Sequence, residues 1–330
     1  MKIIHHERKR LESHFSIERL FAEIRRHMPP DCEVESCPAP YASAGFLPRW
    51  RNVRHASKQK ADVHHIVGDS HYLAFGLPPE KTVLTIHDCA ALDRLTGWKR
   101  ALLKYFWFTG PMRRAAVVTT ISQATKEELR KWVGPLAERV VVVPDCVFEE
   151  FIYDPKPFNE QAPVVLQVGT KWNKNVERVA EAIAPTGCRL HVIGDLEPEQ
   201  RSKCQALGIP YCARGAVSDE ALVQAYRQCD IVVFASLYEG FGLPILEAQA
   251  TGRPVITSRI SSLPEAAGDG ALLVDPYSVD DIRAAVMRVV QDAALRAALV
   301  EKGLRNAERF RPEVVAARYA GIYRKVAEEA

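Results

Sequence analysis

Short apolar runs alternate with amphipathic segments along almost the whole chain, and this alternation limits the possible folds more than any other feature. The runs are continuous rather than alternating in polarity, as is typical of strands covered on both faces. The segments between them repeat apolar residues with a helical period. This order of elements predicts an α/β fold with parallel sheets and right-handed crossovers. The predicted strands lie at residues 2–5, 33–37, 63–67, 82–86, 116–121, 139–143, 163–168, 189–193, 230–234, 254–257 and 271–274, and the predicted helices at residues 16–27, 126–133, 176–184, 219–228, 279–291 and 312–327.

One stretch interrupts the alternation. Residues 153–163 contain three prolines and no periodic pattern. Prolines that cluster between periodic segments mark a loop or a linker. We therefore predict a domain boundary here, with a first domain at residues 1–152 and a second at residues 153–311. Each half is long enough for an ordinary domain.

The composition excludes several classes of protein. Apolar residues make up 47% of the 330 residues and charged residues 26%, which suits globular cores with a soluble surface. A formal net charge of +3 is too small for a protein that binds nucleic acid through a strongly basic surface, so no nucleic-acid partner is expected. No apolar run approaches the roughly 20 residues of a membrane helix, and residues 1–8 lack the apolar core of a signal peptide, so we expect a cytoplasmic protein. The eight cysteines form no C-x-x-C pair, which favours reduced thiols over a zinc or redox site.

The strongest functional signal lies at residues 236–254, directly after a predicted strand. Gly240 and Gly242 allow a tight turn and the close approach of a ligand to the backbone. A proline follows where it can open a helix, and the N–H groups at the start of that helix are a suitable site for a diphosphate. Glu239 and Glu247 flank the turn. Carboxylates repel phosphate but accept hydrogen bonds from sugar hydroxyls, so the pattern indicates a nucleotide-sugar site.

This segment resembles the E-x7-E motif of the retaining glycosyltransferases of family 4, which have the GT-B fold. The two glutamates enclose G-F-G-L-P and are followed by A-x-A-x-G-x-P-V-I. The resemblance implies two facing Rossmann-like domains with an interdomain cleft. It assigns Glu239 to hydroxyls of the transferred sugar and Glu247 to the nucleotide ribose. It also places backbone amides around Phe241, Gly242 and Leu243 against phosphate and sugar.

Residues 168–175 agree with this interpretation. They resemble the family's V-G-T-x-x-x-R-K-N segment, although the segment here is one residue shorter and lacks the arginine. The resemblance places Gly169 beside the donor and Lys174 against the diphosphate leaving group. Lys171 either replaces the missing arginine or is a solvated loop lysine.

Residues 214–220 are similar to the family loop whose backbone faces the nucleobase. This adds Val217 to the predicted donor site. For the side chains of Ser218 and Asp219 we expect a different role, because both residue types cap helices well.

In the first half, residues 85–88 end a predicted strand and resemble the family's histidine near the reacting sugar. The resemblance assigns His87 to a hydrogen bond with the donor sugar, while Asp88 either orients that histidine or caps the next turn. Residues 120–129 resemble the family's V-S-x-x-S-x-x-E-L segment. There Ser122 either contacts the donor or caps a helix.

The sequence departs from the family after the first strand. The family's Gly-Gly turn is replaced by residues 7–14, a basic loop without glycine. The usual contact between that backbone and phosphate is therefore in doubt, and Arg10 or His14 is the alternative ligand.

Residues 98–108 mix cations with large apolar side chains, and Arg113 and Arg114 follow. Such a stretch can lie on a membrane surface or hold a lipid-linked acceptor. The alternative is a core helix with solvated lysines.

The resemblance implies a transferase that moves a mannose-type or glucose-type hexose from a nucleotide diphosphate sugar to a glycan or lipid-linked glycan with anomeric retention, and we expect it to act in surface polysaccharide synthesis. Glu239, His87 and Lys174 are the predicted catalytic residues, and no enzymic base is expected. No D-x-D motif lies in a suitable loop, so no metal or other cofactor is expected and fixed cations would stabilise the leaving group. The resemblance also implies a final helix, at residues 312–330, that crosses back to the first domain. The alternatives are a GT-B epimerase and a non-catalytic nucleotide-sugar-binding subunit.

Overall fold

The computed structural model describes residues 1–9 and 16–330. The chain divides into two units, Met1–Cys146 with Pro312–Ala330 and Val147–Arg311. The proline-rich residues 153–163 form no helix or strand and belong to the second unit. There the ammonium of Lys156 lies 2.5 Å from Asp230 Oδ1. The division therefore falls a few residues before the predicted linker.

The elements follow one another in the order expected of an α/β chain. The strands are β1 (Lys2–Glu7), β2 (Glu33–Pro38), β3 (Val63–Ile66), β4 (Thr82–Ile86), β5 (Val117–Thr120), β6 (Val141–Val142), β7 (Val164–Val168), β8 (Arg189–Ile193), β9 (Tyr211–Arg214), β10 (Ile231–Phe234), β11 (Val255–Ser258) and β12 (Ala271–Val274). The helices are α1 (Ser16–Arg26), α2 (Phe46–Ala56), α3 (Ala90–Asp93), α4 (Gly97–Leu103), α5 (Gly110–Arg114), α6 (Gln123–Val133), α7 (Val176–Ile183), α8 (Pro198–Ala206), α9 (Asp219–Gln228), α10 (Leu243–Thr251), α11 (Leu263–Ala267), α12 (Val279–Gln291), α13 (Ala293–Ala307) and α14 (Pro312–Glu329). A π-helical turn spans Lys104–Thr109. Within the described ranges, no helix combines the length and apolarity that crossing a bilayer requires.

The first unit holds a parallel sheet in the order β2-β1-β3-β4-β5-β6. Consecutive residues of β4 face opposite sides, so Val83 packs with α1 and α14 while Leu84 packs with α5 and α6. This burial on both faces explains why the strands read as continuous apolar runs. Helix α14 follows the second unit in sequence but is part of the first.

The second unit holds a parallel sheet in the order β12-β11-β10-β7-β8-β9. From β7 the chain builds outward through β8 and β9, then returns to lay β10 on the other side of β7. The strand order therefore reverses between β7 and β10. In doubly wound sheets, ligands bind in the crevice beyond the carboxyl ends of the two strands at such a reversal.

The predicted parallel α/β architecture is confirmed, but one strand and several helices were missed. Strand β9 lies at a sheet edge and alternates between half-buried and exposed residues, so it has no continuous apolar run. Helix α2 turns Phe46, Leu47 and Trp50 to solvent and buries Asn52 and Ala56. Because these apolar residues face solvent, α2 lacks the buried apolar face by which an amphipathic helix is recognised in a sequence.

Candidate functional site

Two loops meet at the strand reversal of the second unit. Strand β7 leads through Gly169 into a 3-10 turn, Trp172–Lys174, and then into α7. Strand β10, its neighbour, leads through Glu239 into α10. The main-chain N–H of Leu237 donates to the carbonyl of Asn173 over 2.8 Å, so the two loops are joined by their backbones.

Lys174 and Glu239 form an ion pair between these loops. The distance from Lys174 Nζ to Glu239 Oε1 is 2.7 Å, and both side chains are largely buried. Asn173 Nδ2 donates to the same carboxylate oxygen over 3.2 Å. The ammonium also lies 4.6 Å from the ring centroid of Phe234. From the sequence, Lys174 is expected to contact the diphosphate and Glu239 the sugar hydroxyls; in the structure the two side chains contact each other.

Gly169 makes room for this lysine. Its φ of 88° lies in the left-handed region, and a Cβ on this residue would be 2.9 Å from Lys174 Cε. Any other residue would be strained there and would displace the lysine side chain. Besides its predicted place beside the donor, Gly169 therefore has a structural role, which is to leave space for the Lys174 side chain.

Two serines hold the turn that carries Glu239. Ser261, with a φ of 59°, donates its hydroxyl to the Glu239 carbonyl over 2.7 Å and accepts from the Glu239 N–H over 3.2 Å. Ser262 donates to the carbonyls of Glu239 and Phe241. The carboxylate thus stands on a fixed backbone. Neither serine could be recognised from the sequence, because a Ser-Ser pair before a helix is a common loop pattern.

Helix α10 begins at Leu243, directly after Gly242. Gly242 has a φ of 128°, which only glycine adopts without strain. The helix opening predicted from Pro244 is therefore present. The first N–H groups of a helix have no acceptor within it and carry its positive dipole end. The side chain of Phe241 is buried against Phe310, so only its backbone is placed to meet a ligand.

Glu247 lies inside α10 and is 5% exposed. The hydroxyl of Tyr226 donates to Glu247 Oε2 over 2.6 Å. Burial and the adjacent carboxylate raise the pKa of Tyr226 well above its usual value, so the phenol keeps its proton. Tyr226 could not be recognised from the sequence as a partner of Glu247, since a tyrosine on an amphipathic helix is ordinarily a core residue.

The remaining predicted donor residues of the second unit lie on exposed or half-buried loops. Lys171 is exposed at the start of the 3-10 turn, and Val217 is half-buried just before α9. Ser218 caps α9 by accepting from the Ala221 N–H over 3.3 Å, as expected.

In the first unit, His87 follows β4 and is half-buried. Its Nε2 lies 2.9 Å from the Val67 carbonyl, and because a carbonyl only accepts, Nε2 carries the proton. Burial lowers the pKa of this imidazole, so it is neutral and its Nδ1 is an acceptor. Asp88 accepts from the Ala90 N–H over 3.0 Å, which is the predicted capping role.

Ser122 is fully buried and accepts from the Thr125 N–H over 3.0 Å at the start of α6. Of its two predicted roles, the structure supports the helix cap. Arg10 and His14, the alternative phosphate ligands, lie outside the described residues.

The family comparisons cover nearly the whole chain. The family described as Glycosyl transferases group 1 matches residues 148–305, and Glycosyltransferase Family 4 matches residues 13–150. The chain is a family 4 glycosyltransferase. The GT-B assignment is also confirmed: the structure of Anabaena Alr3699/HepE in complex with UDP and glucose is similar with a TM-score of 0.79 and 18% identity, over 98% of this chain and 100% of that one.

Two curated relatives of this family 4 glycosyltransferase are mannosyltransferases by name. O-antigen chain mannosyltransferase B of Escherichia coli is 45% identical over 96 residues, which are 29% of this chain and 25% of the relative. MMP alpha-(1->4)-mannosyltransferase of Mycolicibacterium hassiacum is 28% identical over 272 residues, 74% of this chain and 65% of the relative. The chain thus matches a quarter of the length of the first relative and 65% of the second.

Proposed function

We propose that this family 4 glycosyltransferase moves a mannose-type or glucose-type hexose from a nucleotide diphosphate sugar to a hydroxyl of a glycan or lipid-linked glycan, with retention at the anomeric carbon. The observation that carries the proposal is the Lys174–Glu239 pair beside the N-terminus of α10, at the strand reversal of a doubly wound sheet. The mannosyltransferase relatives support the hexose class. Surface polysaccharide synthesis in the cytoplasm, peripherally at the inner face of the membrane, is the setting that fits a lipid-linked acceptor.

The first step is binding of the diphosphate at the start of α10. The backbone N–H groups from Phe241 to Leu243 would donate to its oxygens, and the helix dipole favours its charge. Lys174 would then exchange part of its contact with Glu239 for a phosphate oxygen. That exchange frees the Glu239 carboxylate to accept hydrogen bonds from the hydroxyls of the sugar.

The chemical step builds negative charge on the leaving diphosphate. Once donor binding has moved the Lys174 ammonium towards a phosphate oxygen, this largely buried site would hold it there, so it need not reorganise further as that charge grows. The proposal therefore uses Lys174, Lys171 and the dipole of α10 in place of a metal ion. Activity is expected to survive EDTA, and full loss that only a divalent ion restores would contradict this part of the proposal.

Glu247 is proposed to bind the ribose hydroxyls. The hydrogen bond from Tyr226 to Oε2 holds the carboxylate of Glu247 in one orientation. Glu247→Ala is expected to weaken binding of the free nucleotide diphosphate by about 1.5–3 kcal/mol, the range for hydrogen bonds to a charged group. Tyr226→Phe should weaken it less, since the carboxylate remains.

Calorimetry separates the two glutamates. Glu239→Ala is expected not to weaken binding of the free nucleotide diphosphate, because Lys174 loses only a partner that competes with phosphate, and to lower turnover, because this carboxylate serves the sugar. The reverse ordering of the two alanine variants would overturn both assignments.

Lys174→Ala tests the leaving-group role. Turnover is expected to fall roughly 100- to 1000-fold, the scale of removing one preorganised donor. The matched control is Lys203→Ala, because Lys203 also pairs with a glutamate, Glu181, over 2.9 Å, but on the surface. Near-normal turnover in Lys174→Ala, with circular dichroism showing a folded protein, would reduce this lysine to a structural partner of Glu239.

The two alternative functions are tested with the same protein. An epimerase converts the nucleotide sugar when no acceptor is present. A non-catalytic binding subunit shows nucleotide binding but no turnover of any donor. A thermal-shift screen with UDP-, GDP- and ADP-sugars identifies the donor first, since a specific ligand stabilises the folded state by mass action.

A further inference from the structure

Positive charge is concentrated in two segments of the first unit. Residues 39–61 contain five lysines and arginines and no acidic residue, and residues 94–114 contain six and no acidic residue. The chain as a whole has 44 cations and 41 anions, so the rest of it holds 33 cations and 41 anions, a net charge of −8. The small net charge of the protein therefore conceals a strongly basic region.

The same two segments expose large apolar side chains. On α2, Phe46 is 83% exposed and Leu47 and Trp50 are about half exposed. On α4 and the π-helical turn after it, Trp98 is 70% exposed and Phe106 is 44% exposed. Side chains of this size normally lie in a core, and their clustering on one region marks an interaction surface.

These helices form one continuous surface. The guanidinium of Arg49, on α2, lies 4.6 Å from the ring centroid of Trp107, on the π-helical turn. Tyr72 packs beneath both, with its ring 5.3 Å from Trp107 and its hydroxyl accepting from Asn52 of α2 over 3.0 Å. We call this surface, α2 with α4 and the π-helical turn, the basic-aromatic face.

A cavity of about 410 Å³ lies at the α2 end of this face. Its walls include the rings of Tyr41 and Trp50, and Arg51 and Arg54 lie over them at 5.4 Å and 5.6 Å. Lys58 also lines the cavity. In the part of the chain that the structure describes, these three cations make no ion pair, so they are available to an anionic group such as a phosphate.

We propose that the basic-aromatic face binds the surface of an anionic phospholipid bilayer. Aromatic rings at the level of the head groups, apolar side chains below them and cations against lipid phosphates are the contacts that hold a helix in a membrane interface. A nucleic acid would satisfy the cations but would leave Phe46 and Leu47 in water. One acidic residue, Asp69, lies at the margin, where it accepts from the indole N–H of Trp107 over 3.1 Å.

This inference deepens the proposed function, because it names the surface by which the enzyme would reach a lipid-linked acceptor. It is tested without donor or acceptor, so its failure is distinguishable from failure of the transferase proposal. If the protein binds nucleotide through Glu247 but does not bind vesicles, the membrane-binding proposal is refuted and the transferase proposal is not.

The experiment is co-sedimentation of the full chain with vesicles of phosphatidylcholine alone or with phosphatidylserine added. Binding is expected only with the anionic lipid and should weaken as salt rises. Neutralising Arg51, Arg54 and Lys58 to glutamine is expected to lower the partition coefficient roughly 100-fold, about fivefold for each cation near the surface. Phe46→Ser with Trp50→Ser should lower it as well, although no charge changes.

The matched control neutralises three exposed cations elsewhere, Lys302, Arg305 and Lys325, and should leave binding unchanged. Equal losses in the two triple variants, or equal binding to both vesicle types, would overturn the proposal. Calorimetry with pyrophosphate covers a soluble phosphate ligand. If pyrophosphate binds and Phe46→Ser with Trp50→Ser has no effect on vesicles, the cavity is a phosphate site and not a membrane face. Salt-sensitive binding of an RNA oligonucleotide without vesicle binding would likewise overturn it.

Discussion

The buried residues of the two sheets differ in polarity. In the second unit the central positions are aliphatic, with Val165, Ile231 and Ile256 fully buried. In the first unit, β1 and β3 place His5 and His65 side by side in the middle of the sheet, with no exposed surface. In the second unit, the Lys174–Glu239 pair lies beyond the carboxyl ends of β7 and β10, at the proposed donor site. In the first unit, buried polar groups form hydrogen bonds that hold its own strands and helices together.

The buried groups of the first unit form a hydrogen-bonded chain with one direction. Arg25 donates towards His5 Nδ1, so the proton of His5 is on Nε2, which donates to the hydroxyl of Tyr323 over 2.9 Å. That hydroxyl donates to His65 Nδ1 over 2.7 Å, and His65 Nε2 donates to Thr85 over 2.7 Å. Every step requires a neutral imidazole. Helix α14 is thus attached to the sheet by a network that a single extra proton disrupts.

Acidification is expected to unfold the first unit before the second, and this is the largest effect we predict. Burial lowers the pKa of His6 to about 3, so the folded protein keeps this ring neutral while the unfolded chain takes up a proton near pH 6.5. Stability that is complete above pH 6.5 is therefore lost as the pH falls towards 3, by up to about 5 kcal/mol for this histidine. Burial lowers the pKa of His5 and His65 in the same direction, which adds to the loss.

Two other titratable residues, His191 and Asp145, also affect how stability changes with pH. The second unit contains a single histidine, His191, whose pKa burial also lowers. In the first unit, burial raises the pKa of Asp145 to about 7, which acts in the opposite sense because the folded state takes up that proton first. Hydrogen exchange by peptide, from pH 7.5 to 3, covers the pH range over which His6 loses its contribution and reports each unit separately. Earlier loss of protection in residues 164–274 than in the first unit would contradict the prediction.

A cavity in the aliphatic sheet gives the next largest effect, and one without pH dependence. Ile256→Ala is expected to cost about 2–5 kcal/mol, because the close-packed core cannot fill the space. Urea unfolding followed at pH 7.5 and pH 6 should give the same difference from wild type, since no titratable group is involved. A difference that changes with pH by more than the experimental error would mean that the second core also depends on buried charge.

Removing one hydroxyl tests the polar network at a smaller scale. Tyr323→Phe leaves a buried His5 N–H and a buried His65 nitrogen without partners, which is expected to cost about 1–3 kcal/mol. Hydrogen exchange should show the loss first in α14. The control is Tyr277→Phe, because that side chain is 60% exposed. Unchanged protection of α14 would show that packing alone attaches it.

The two interiors also explain what sequence could predict. The run at residues 63–67 was recognised as a strand, but nothing local indicates that His65 is buried, because its partner Tyr323 lies 258 residues away along the chain. In the second unit, Lys174 and Glu239 stand in a dense motif and were predicted. Tyr226 and Ser261 act through contacts that only the folded chain brings together. Helix α2 was missed because its apolar residues face outward.

The smallest effect that we predict is the difference between two serine helix caps, one in each unit. Ser122 and Ser218 each cap a helix, over 3.0 Å and 3.3 Å, but Ser122 is fully buried and Ser218 is exposed. Losing a serine cap costs about 0.5–2 kcal/mol. We expect Ser122→Ala near the upper end, since the Thr125 N–H then has no solvent to replace the cap, and Ser218→Ala near the lower end, where water can. Urea midpoints of the two variants measure the difference.

The same pair decides whether Ser122 has a second role. A pure cap changes stability and leaves the KM for the donor unchanged once both proteins are compared well below their melting temperatures. Asparagine also caps helices, so Ser122→Asn keeps a cap while it removes the hydroxyl. A raised KM for the donor in the asparagine variant, at near-normal stability, would restore the donor contact that the sequence left open.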